Sequence, residues 1–435
     1  MLKSYKKDKV ERVYDYLLER GCINQSSHTD ELRAELHSGK QMVFYCGFDP
    51  TADSLHAGSL FPIIMMKRFQ EAGHKPLVLV GTGTGMIGDP SFRSEERNFL
   101  GEEKLNYNSE KIAEQLSRFF ETTGAAAFKM VKNYDWLKEL SMIDFLRDVG
   151  IYFSVNSMIA KESVKDRLEN RDQGISYTEF TYMLLQAYDF YYLNKVENCR
   201  LQIGGSDQWG NMTAGTDLIR RKNSSEHPQA YVLTNNLLVS SSGKKFGKSQ
   251  EGAIWLDASK TSPYQFFQYW YNLPDDDASK LIRYLTTISE GEILELEKNP
   301  EKREVQWALA QEMTEFVHGS EETIKAINAS KVLFTGDISS VQPKDLLEIF
   351  SHVPSLEVDR GLLVSEGYKL QDLLVKVGAT DSKGSAKRLI EGGGLYINGE
   401  KSTDPAKVIQ ADQLLEDSFL IIRSGKKNYY LVKAV

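Results

Sequence analysis

Tyr45-Cys46-Gly47-Phe48-Asp49-Pro50-Thr51-Ala52-Asp53-Ser54-Leu55-His56-Ala57-Gly58-Ser59-Leu60 decides the fold. It reads as a strand, a polar turn, and a His-x-Gly step into a helix. Residues 42–48 supply the strand. Ser59 is placed to cap the helix, Pro62 is tolerated in its first turn, and Gly73 closes it. Leu77-Val78-Leu79-Val80 is a short continuous apolar run, as expected of a parallel strand buried on both faces. Strand, helix and strand within roughly 40 residues make a βαβ unit, hence a doubly wound α/β sheet. Helix N-termini carry unpaired N–H groups and partial positive charge, so phosphate binds there. His56 can donate to a phosphate oxygen, and Gly58 lets the backbone approach. A surface histidine beside a turn glycine fits the same four residues.

Almost two hundred positions later comes Lys244-Lys245-Phe246-Gly247-Lys248-Ser249. Lysines in a Gly/Ser loop are often only solvated. Beside a phosphate site they become an electrostatic clamp acting on the transition state. The two motifs, in this order around a βαβ unit, suggest a bound nucleoside triphosphate. Gly83-Thr84-Gly85-Met86-Ile87-Gly88 matches the dinucleotide pattern, but Asp89-Pro90 follows at once where a helix should open. It is better read as a pocket-lining loop. No P-loop pattern occurs.

Residues 1–35 read as a helical lead-in and 108–200 as mostly helical. Tyr182, Gln186 and Asp189 are spaced i, i+4, i+7 on one helical face. A core face would not normally carry Gln and Asp, so the choice is a solvated stripe or a patch that grips a small zwitterion. Leu201–Ile203 returns to a strand. Gly205 and Asp207 follow in a turn that either meets ribose hydroxyls or is simply glycine-rich. The expected division is a catalytic domain over 1–262, an α-helical domain over 263–345, a linker over 346–368, and a small α+β domain over 369–435.

With 435 residues, roughly 150 per domain suggests two or three domains. No apolar run approaches the roughly 20 residues that span a bilayer, so no membrane association is expected. The N-terminal Met1-Leu2-Lys3-Ser4 has no apolar stretch behind it, which argues against a secretory leader. Cys22, Cys46 and Cys199 are odd in number and widely spaced. They argue against a disulfide framework or zinc site and for a reducing cytoplasm. Net charge is −8. Residues 369–435 carry eleven Lys and Arg against eight Asp and Glu, a surplus of three, which leaves −11 for the rest. A basic tail on an acidic body is the footprint of an RNA-binding appendage.

Taken together, the stretches Tyr45–Leu60, Gly88–Ser91, Asn133–Trp136, Phe145–Gly150, Gly174–Asp189, Leu201–Asn211, Lys245–Ser249 and Thr261–Tyr264 resemble the bacterial tyrosyl-tRNA synthetases, and the resemblance extends over essentially the whole chain. It implies a Rossmann-like doubly wound parallel catalytic sheet, then the helical domain, then an S4-like RNA-binding domain. It implies tyrosine activation with Mg-ATP and transfer to tRNA(Tyr), in a cytoplasmic homodimer with no protein-held metal. Tyr45 and Asp189 would meet the substrate phenol; Asp89, Tyr182 and Gln186 its ammonium; Gln208 its carboxylate. Gly47, Asp49, Thr51, His56 and Gly58 would face ATP, with Gly205 and Asp207 at the ribose. Thr51, His56, Lys245 and Lys248 would act in the chemical step, the lysines as a mobile clamp. Arg93, Arg97, Lys383, Lys387, Arg388, Lys426 and Lys427 would contact RNA. One position departs from the family pattern: the first motif commonly ends in His and here ends in Ser59. Three other readings stand beside this one: the tryptophanyl sister enzyme, a small-molecule nucleotidyltransferase, and an RNA-binding paralogue with an inactive site.

Overall fold

The computed structural model describes residues 2–89, 101–161, 164–165, 168–169, 174–223, 229–239, 246–249, 252–335, 346–347, 350, 353–425 and 428–435. The chain divides into two compact units, residues 3–262 with 269–317, and residues 263–268 with 318–435.

The first unit is built on a six-stranded sheet. Its strands are β1 (Ile23–Ser26), β2 (Val43–Phe48), β3 (Lys75–Val80), β4 (Lys129–Lys132), β5 (Cys199–Gly205) and β6 (Tyr231–Asn235). Their spatial order is β1-β6-β5-β2-β3-β4. β2 through β6 pair in parallel, and β1 joins β6 antiparallel. The expected parallel sheet is therefore mixed, with an antiparallel edge. Residues 1–35 correspondingly hold a strand between the helices Val13–Glu19 and Thr29–Leu36 rather than a continuous helical lead-in.

Phe44, Leu77, Val78, Leu201 and Val232 are fully buried, as expected of strands covered by helices on both faces. From β2 the chain winds outward through β3 and β4; from β5 it winds the other way through β6. The topological switch therefore lies between β2 and β5, and ligands of such sheets bind in the crevice at the carboxyl ends of the strands there. Helix Leu60–Glu71 follows β2. The single turn Thr84–Ile87 follows β3 and ends at Gly88, so the G-x-G-x-x-G segment opens no long helix. Helix Tyr177–Glu197 precedes β5. Ser176 caps it by accepting the Glu179 N–H at 3.2 Å, and Asn198 ends it in the left-handed region.

The expected helices of 263–345 are present as Pro263–Tyr271, Asp275–Leu285, Glu290–Glu297 and Glu304–Thr335. They do not form one body. Asp275–Leu285 belongs to the first unit, where Tyr284 stacks on Phe61 with ring centroids 5.1 Å apart.

The second unit carries a five-stranded sheet in which Ser355–Val358 pairs parallel with Asn428–Ala434. Leu363, in the helix Arg360–Ser365, is buried in the same core as Leu373, Ile390 and Leu420. The linker expected over 346–368 is thus, in its described part, an integral strand and helix of the tail domain. No helix among the described residues is long and apolar enough to cross a membrane.

Candidate active site

A cavity of about 750 Å³ opens at the switch point. Tyr45, Gly47, Asp49, Thr51, His56 and Gly58 line it from β2 and the turn that follows. Asp89 enters from the β3 loop, and Tyr182, Gln186 and Asp189 from the long helix. Gly205, Asp207 and Gln208 line it from the end of β5. Every residue assigned to tyrosine, and the ATP set apart from Lys248, is brought together there.

The deepest end is closed by Tyr45 and Asp189, 1% and 2% exposed. The Tyr45 ring packs on Phe190 at 5.3 Å, and its hydroxyl has no hydrogen-bond partner among the described residues. Asp189 Oδ1 accepts the Trp136 indole N–H at 2.8 Å, and Oδ2 accepts the Asn133 amide at 2.9 Å. Burial pushes the Asp189 carboxyl up to about 7, against those two donors; the Asp49 charge adds to the rise. Burial, then the neighbouring Asp189, also raises the Tyr45 phenol well above its usual value.

Asn133 is the hinge of a longer network. Its Oδ1 accepts from the Gly83 N–H at 2.7 Å, and its amide also donates to Thr84 Oγ1 at 3.0 Å. Thr84 donates to Asp49 Oδ1 at 2.9 Å, and Tyr182 donates to Asp49 Oδ2 at 2.9 Å. Beside them the Gln208 amide donates to Asp89 Oδ2 at 2.7 Å, and Asn211 donates back to Gln208 at 3.3 Å. Polar side chains at such a site favour pairing, and the pairing fixes their directions. Asn133 and Trp136 carried no role in the sequence reading, and neither did Thr84 or Gln202, whose Oε1 is buried on the cavity wall with no partner among the described residues. The polar residue at an inward strand position was the only local signal for Gln202.

The other end of the cavity is the His-x-Gly turn. Ser59 does not cap the helix: its backbone is already helical (φ −78°, ψ −13°) and its side chain makes no capping bond. The cap of the preceding turn is His56, whose Nδ1 accepts the Gly58 N–H at 3.0 Å. An accepting Nδ1 leaves the ring proton on Nε2, so that nitrogen is a donor. The turn is stitched to the base of the lysine motif. Ala57 N–H donates to the Ile254 carbonyl at 2.7 Å and Leu256 N–H to Leu55 at 2.8 Å, making His56 and Trp255 bridge partners. Gly247 (φ 86°) lies against Gly58; a Cβ on Gly247 would fall 2.6 Å from the Gly58 nitrogen. Only glycine satisfies both that conformation and that approach. At Gly205 a Cβ would sit 2.4 Å from the Asp207 carboxylate, so the missing side chain is what lets Asp207 turn inward.

Lys248 belongs to a two-residue strand paired with Gly252–Ala253. Lys245, Arg93, Arg97, Lys426 and Lys427 lie outside the described residues. In the second unit, Ser382 caps the helix Lys383–Glu391, whose Ala386 and Ile390 are buried while Lys383, Lys387 and Arg388 are exposed. Lys383 pairs with Asp372 and Lys387 with Glu391.

Comparison with known proteins gives the family. Residues 37–335 match the family described as tRNA synthetases class I (W and Y), and residues 345–432 match the tyrosine--tRNA ligase SYY-like C-terminal domain. The chain is 47% identical to the tyrosine--tRNA ligase of Desulfitobacterium hafniense over 97% of its own length and 100% of that protein. It is 48% identical to the tyrosine--tRNA ligase of Bacillus caldotenax over 95% of its own length and 97% of that protein. Among solved structures, a C-terminally truncated mitochondrial tyrosyl-tRNA synthetase of Aspergillus nidulans superposes with a TM-score of 0.66 at 26% identity. That match covers 74% of this chain and 94% of the other. The fold and the two motifs define a class I aminoacyl-tRNA synthetase. Within that class, the chain belongs to the tyrosine--tRNA ligase family.

Proposed function

We propose that this site activates L-tyrosine with ATP, forming tyrosyl-adenylate and pyrophosphate, and passes tyrosine to the 3′-terminal adenosine of tRNA(Tyr). The observation that carries the reading is the buried Tyr45–Asp189 end of the cavity, with Asp189 held by Asn133 and Trp136. Asp189 retains lone pairs for a phenol O–H, and Tyr45 supplies the second polar group. A site built to hydrogen-bond a hydroxyl leaves its own buried groups unpaired when phenylalanine enters. Such rejection reaches about 10⁵, a magnitude that comes from tyrosyl-tRNA synthetases themselves.

Asp89, Tyr182 and Gln186 surround the ammonium, with Asp49 and Thr84 orienting Tyr182. Gln208 approaches the substrate carboxylate and steadies Asp89. The carboxylate of tyrosine is already ionised, so it attacks the α-phosphorus without a general base. The bond to the bridging oxygen breaks and pyrophosphate leaves. What the protein supplies is alignment and charge stabilisation. His56 Nε2–H, Thr51, Lys245 and Lys248 meet the phosphates; Gly47, Gly58, Gly205 and Asp207 cradle the nucleoside. Magnesium enters as part of the Mg-ATP substrate.

In the tail, Lys383, Lys387 and Arg388 face tRNA phosphates, and Lys426 and Lys427 join them there; Arg93 and Arg97 act nearer the acceptor end. The reading also takes the protein as a cytoplasmic homodimer. Cys22, Cys46 and Cys199 are free and buried, as suits a reducing compartment. Segment 142–159 presents Met142 (78% exposed), Ile143, Ile151 (76%) and Val155 to the outside, an apolar surface suited to a second copy. Met142→Asp with Ile151→Asp should convert a dimer to a monomer in light scattering; a dimer that persists places the interface elsewhere.

The decisive test is amino-acid-dependent ATP–pyrophosphate exchange across the twenty amino acids without tRNA. Tyrosine-only exchange supports the reading. Exchange with tryptophan moves the chain to the sister specificity, and no exchange makes it an inactive RNA-binding relative.

A further inference from the structure

We propose that Asp53, Lys260 and Trp255 form a positioning unit for adenylate formation, fixing the ring of His56 and fastening the base of the lysine motif to the first motif. The proposal rests on the activity argued above.

Asp53 lies between Thr51 and His56, and Lys260 lies beyond the lysine motif. Lys260 Nζ reaches Asp53 Oδ1 at 2.7 Å. The same ammonium sits 5.3 Å from the centre of the Trp255 ring. Trp255 in turn meets the His56 imidazole at 6.5 Å with the rings at 64°. The contacts run in one line from carboxylate to ammonium to indole to imidazole.

The backbone reinforces that line. The pairing of Leu55–Ala57 with Ile254–Leu256 sets Trp255 opposite His56. Trp255 N–H donates to Thr261 Oγ1 at 3.0 Å, and Lys260 N–H and Thr261 N–H both donate to the Asp257 carbonyl at 3.0 Å. This braced turn returns Lys260 over the indole.

A purely structural purpose explains little of this. Asp53 and Lys260 have side chains 25% and 33% exposed, and an ion pair so placed contributes little to global stability. Trp255 lines the cavity, whereas Asp53 and Lys260 stand behind it. The pair is therefore placed to act through Trp255 and the turn. A cation over the face of an indole holds the ring in one orientation. With the Gly58 N–H on Nδ1 and Trp255 against the ring, His56 can aim Nε2–H in one direction. Ile254 N–H donates to the Gly247 carbonyl at 2.9 Å and Lys248 pairs with Ala253, so the segment fastened by this unit also holds Gly247 and Lys248, and its loss should misalign both motifs at once.

The test is pyrophosphate exchange by the full-length chain carrying Asp53→Asn, Lys260→Met, Lys260→Arg, and the double Asp53→Asn/Lys260→Met. Wild type is assayed first, and its failure with tyrosine would overturn the activity itself rather than the positioning unit alone. Given active wild type, each neutralising variant should lose about tenfold in kcat, as a small misplacement of catalytic groups does, while tyrosine affinity by equilibrium dialysis stays unchanged. The double variant should be no worse than about the worse single, because the residues act as one unit. Lys260→Arg keeps the charge over the indole and should retain most of the rate. Single variants within about twofold of wild type, single losses that multiply in the double variant, or an equal fall in tyrosine affinity would each overturn the proposal.

Discussion

At the phenol end of the cavity, Tyr45 and Asp189 are almost wholly buried and Asp189 is held by side-chain donors; at the phosphate end, Thr51 is exposed, His56 is half-buried, and order comes from backbone pairing. The difference separates two tasks. Discrimination between amino acids that differ by one hydroxyl needs groups that cannot turn to water when their partner is missing, so they are buried and prearranged. Stabilising charge that develops on phosphate needs donors that can meet a large, hydrated, incoming ligand, so they sit on turns at a cavity mouth. A variant at one end should therefore change selectivity with little change in the ATP reaction, and at the other end the reverse.

The sharpest way to break that division is Asp189→Ala. Selectivity for tyrosine over phenylalanine, measured as the ratio of kcat/KM in pyrophosphate exchange, should fall by about a thousandfold or more as the hydroxyl loses its acceptor. The indole N–H of Trp136 loses its partner as well, at about 1–3 kcal/mol for a buried unsatisfied donor. Unchanged selectivity would remove the assigned role. The complementary change, His56→Ala, should lower the rate of adenylate formation by about a hundredfold, the usual loss for one preorganised donor, while tyrosine affinity holds. Equal losses in rate and tyrosine affinity would show that the two ends are not separable. A smaller effect is expected at the other unit: Lys383→Glu with Lys387→Glu and Arg388→Glu should weaken tRNA charging by about tenfold at moderate salt and flatten its salt dependence. Exchange without tRNA should be untouched, and charging at the wild-type rate would take that helix out of RNA contact.

The same contrast governs what could be read from the chain. The step from Tyr45 to Leu60 was legible because its strand, turn and helix are each written locally, and Tyr182, Gln186 and Asp189 because helical spacing alone puts them on one face. Ile23–Ser26 and Lys129–Lys132 were not. Each is four residues long and at a sheet edge, with neither an alternating pattern nor a full apolar run, and its stability comes from the neighbouring strand. With β4 unseen, Asn133 and Trp136 could not be placed behind Asp189. Ser355–Val358 was lost for the same reason; its partner lies some seventy residues on, at Leu431–Ala434. Ser59 was misassigned because capping was judged from residue type, whereas the chain enters the helix one turn earlier, through His56.

The buried end also carries a signature of its own, a carboxyl that titrates near neutrality. Burial raises the Asp189 carboxyl to about 7, and the groups facing it are Tyr45, Asn133, Trp136 and, farther off, Asp49. Asn133 and Trp136 both donate to it, and a substrate phenol would donate a third bond, so tyrosine binds best to the ionised form. Protonation turns one carboxyl oxygen into a donor and forces an acceptor to be lost. Binding that favours the ionised form draws a proton off wherever Asp189 is neutral, and tyrosine affinity should fall as pH drops through 7. Between pH 8 and pH 6 a strict requirement for the ionised form would raise the tyrosine KM by about tenfold; the remaining carbonyl oxygen still accepts, which reduces the expected rise to a few-fold. In Asp189→Asn, which cannot ionise, the tyrosine KM should be higher but level across the same range. A wild-type KM for tyrosine that is flat from pH 6 to 8 would mean that the carboxylate stays charged in the free site. The donors from Asn133 and Trp136 would then outweigh its burial.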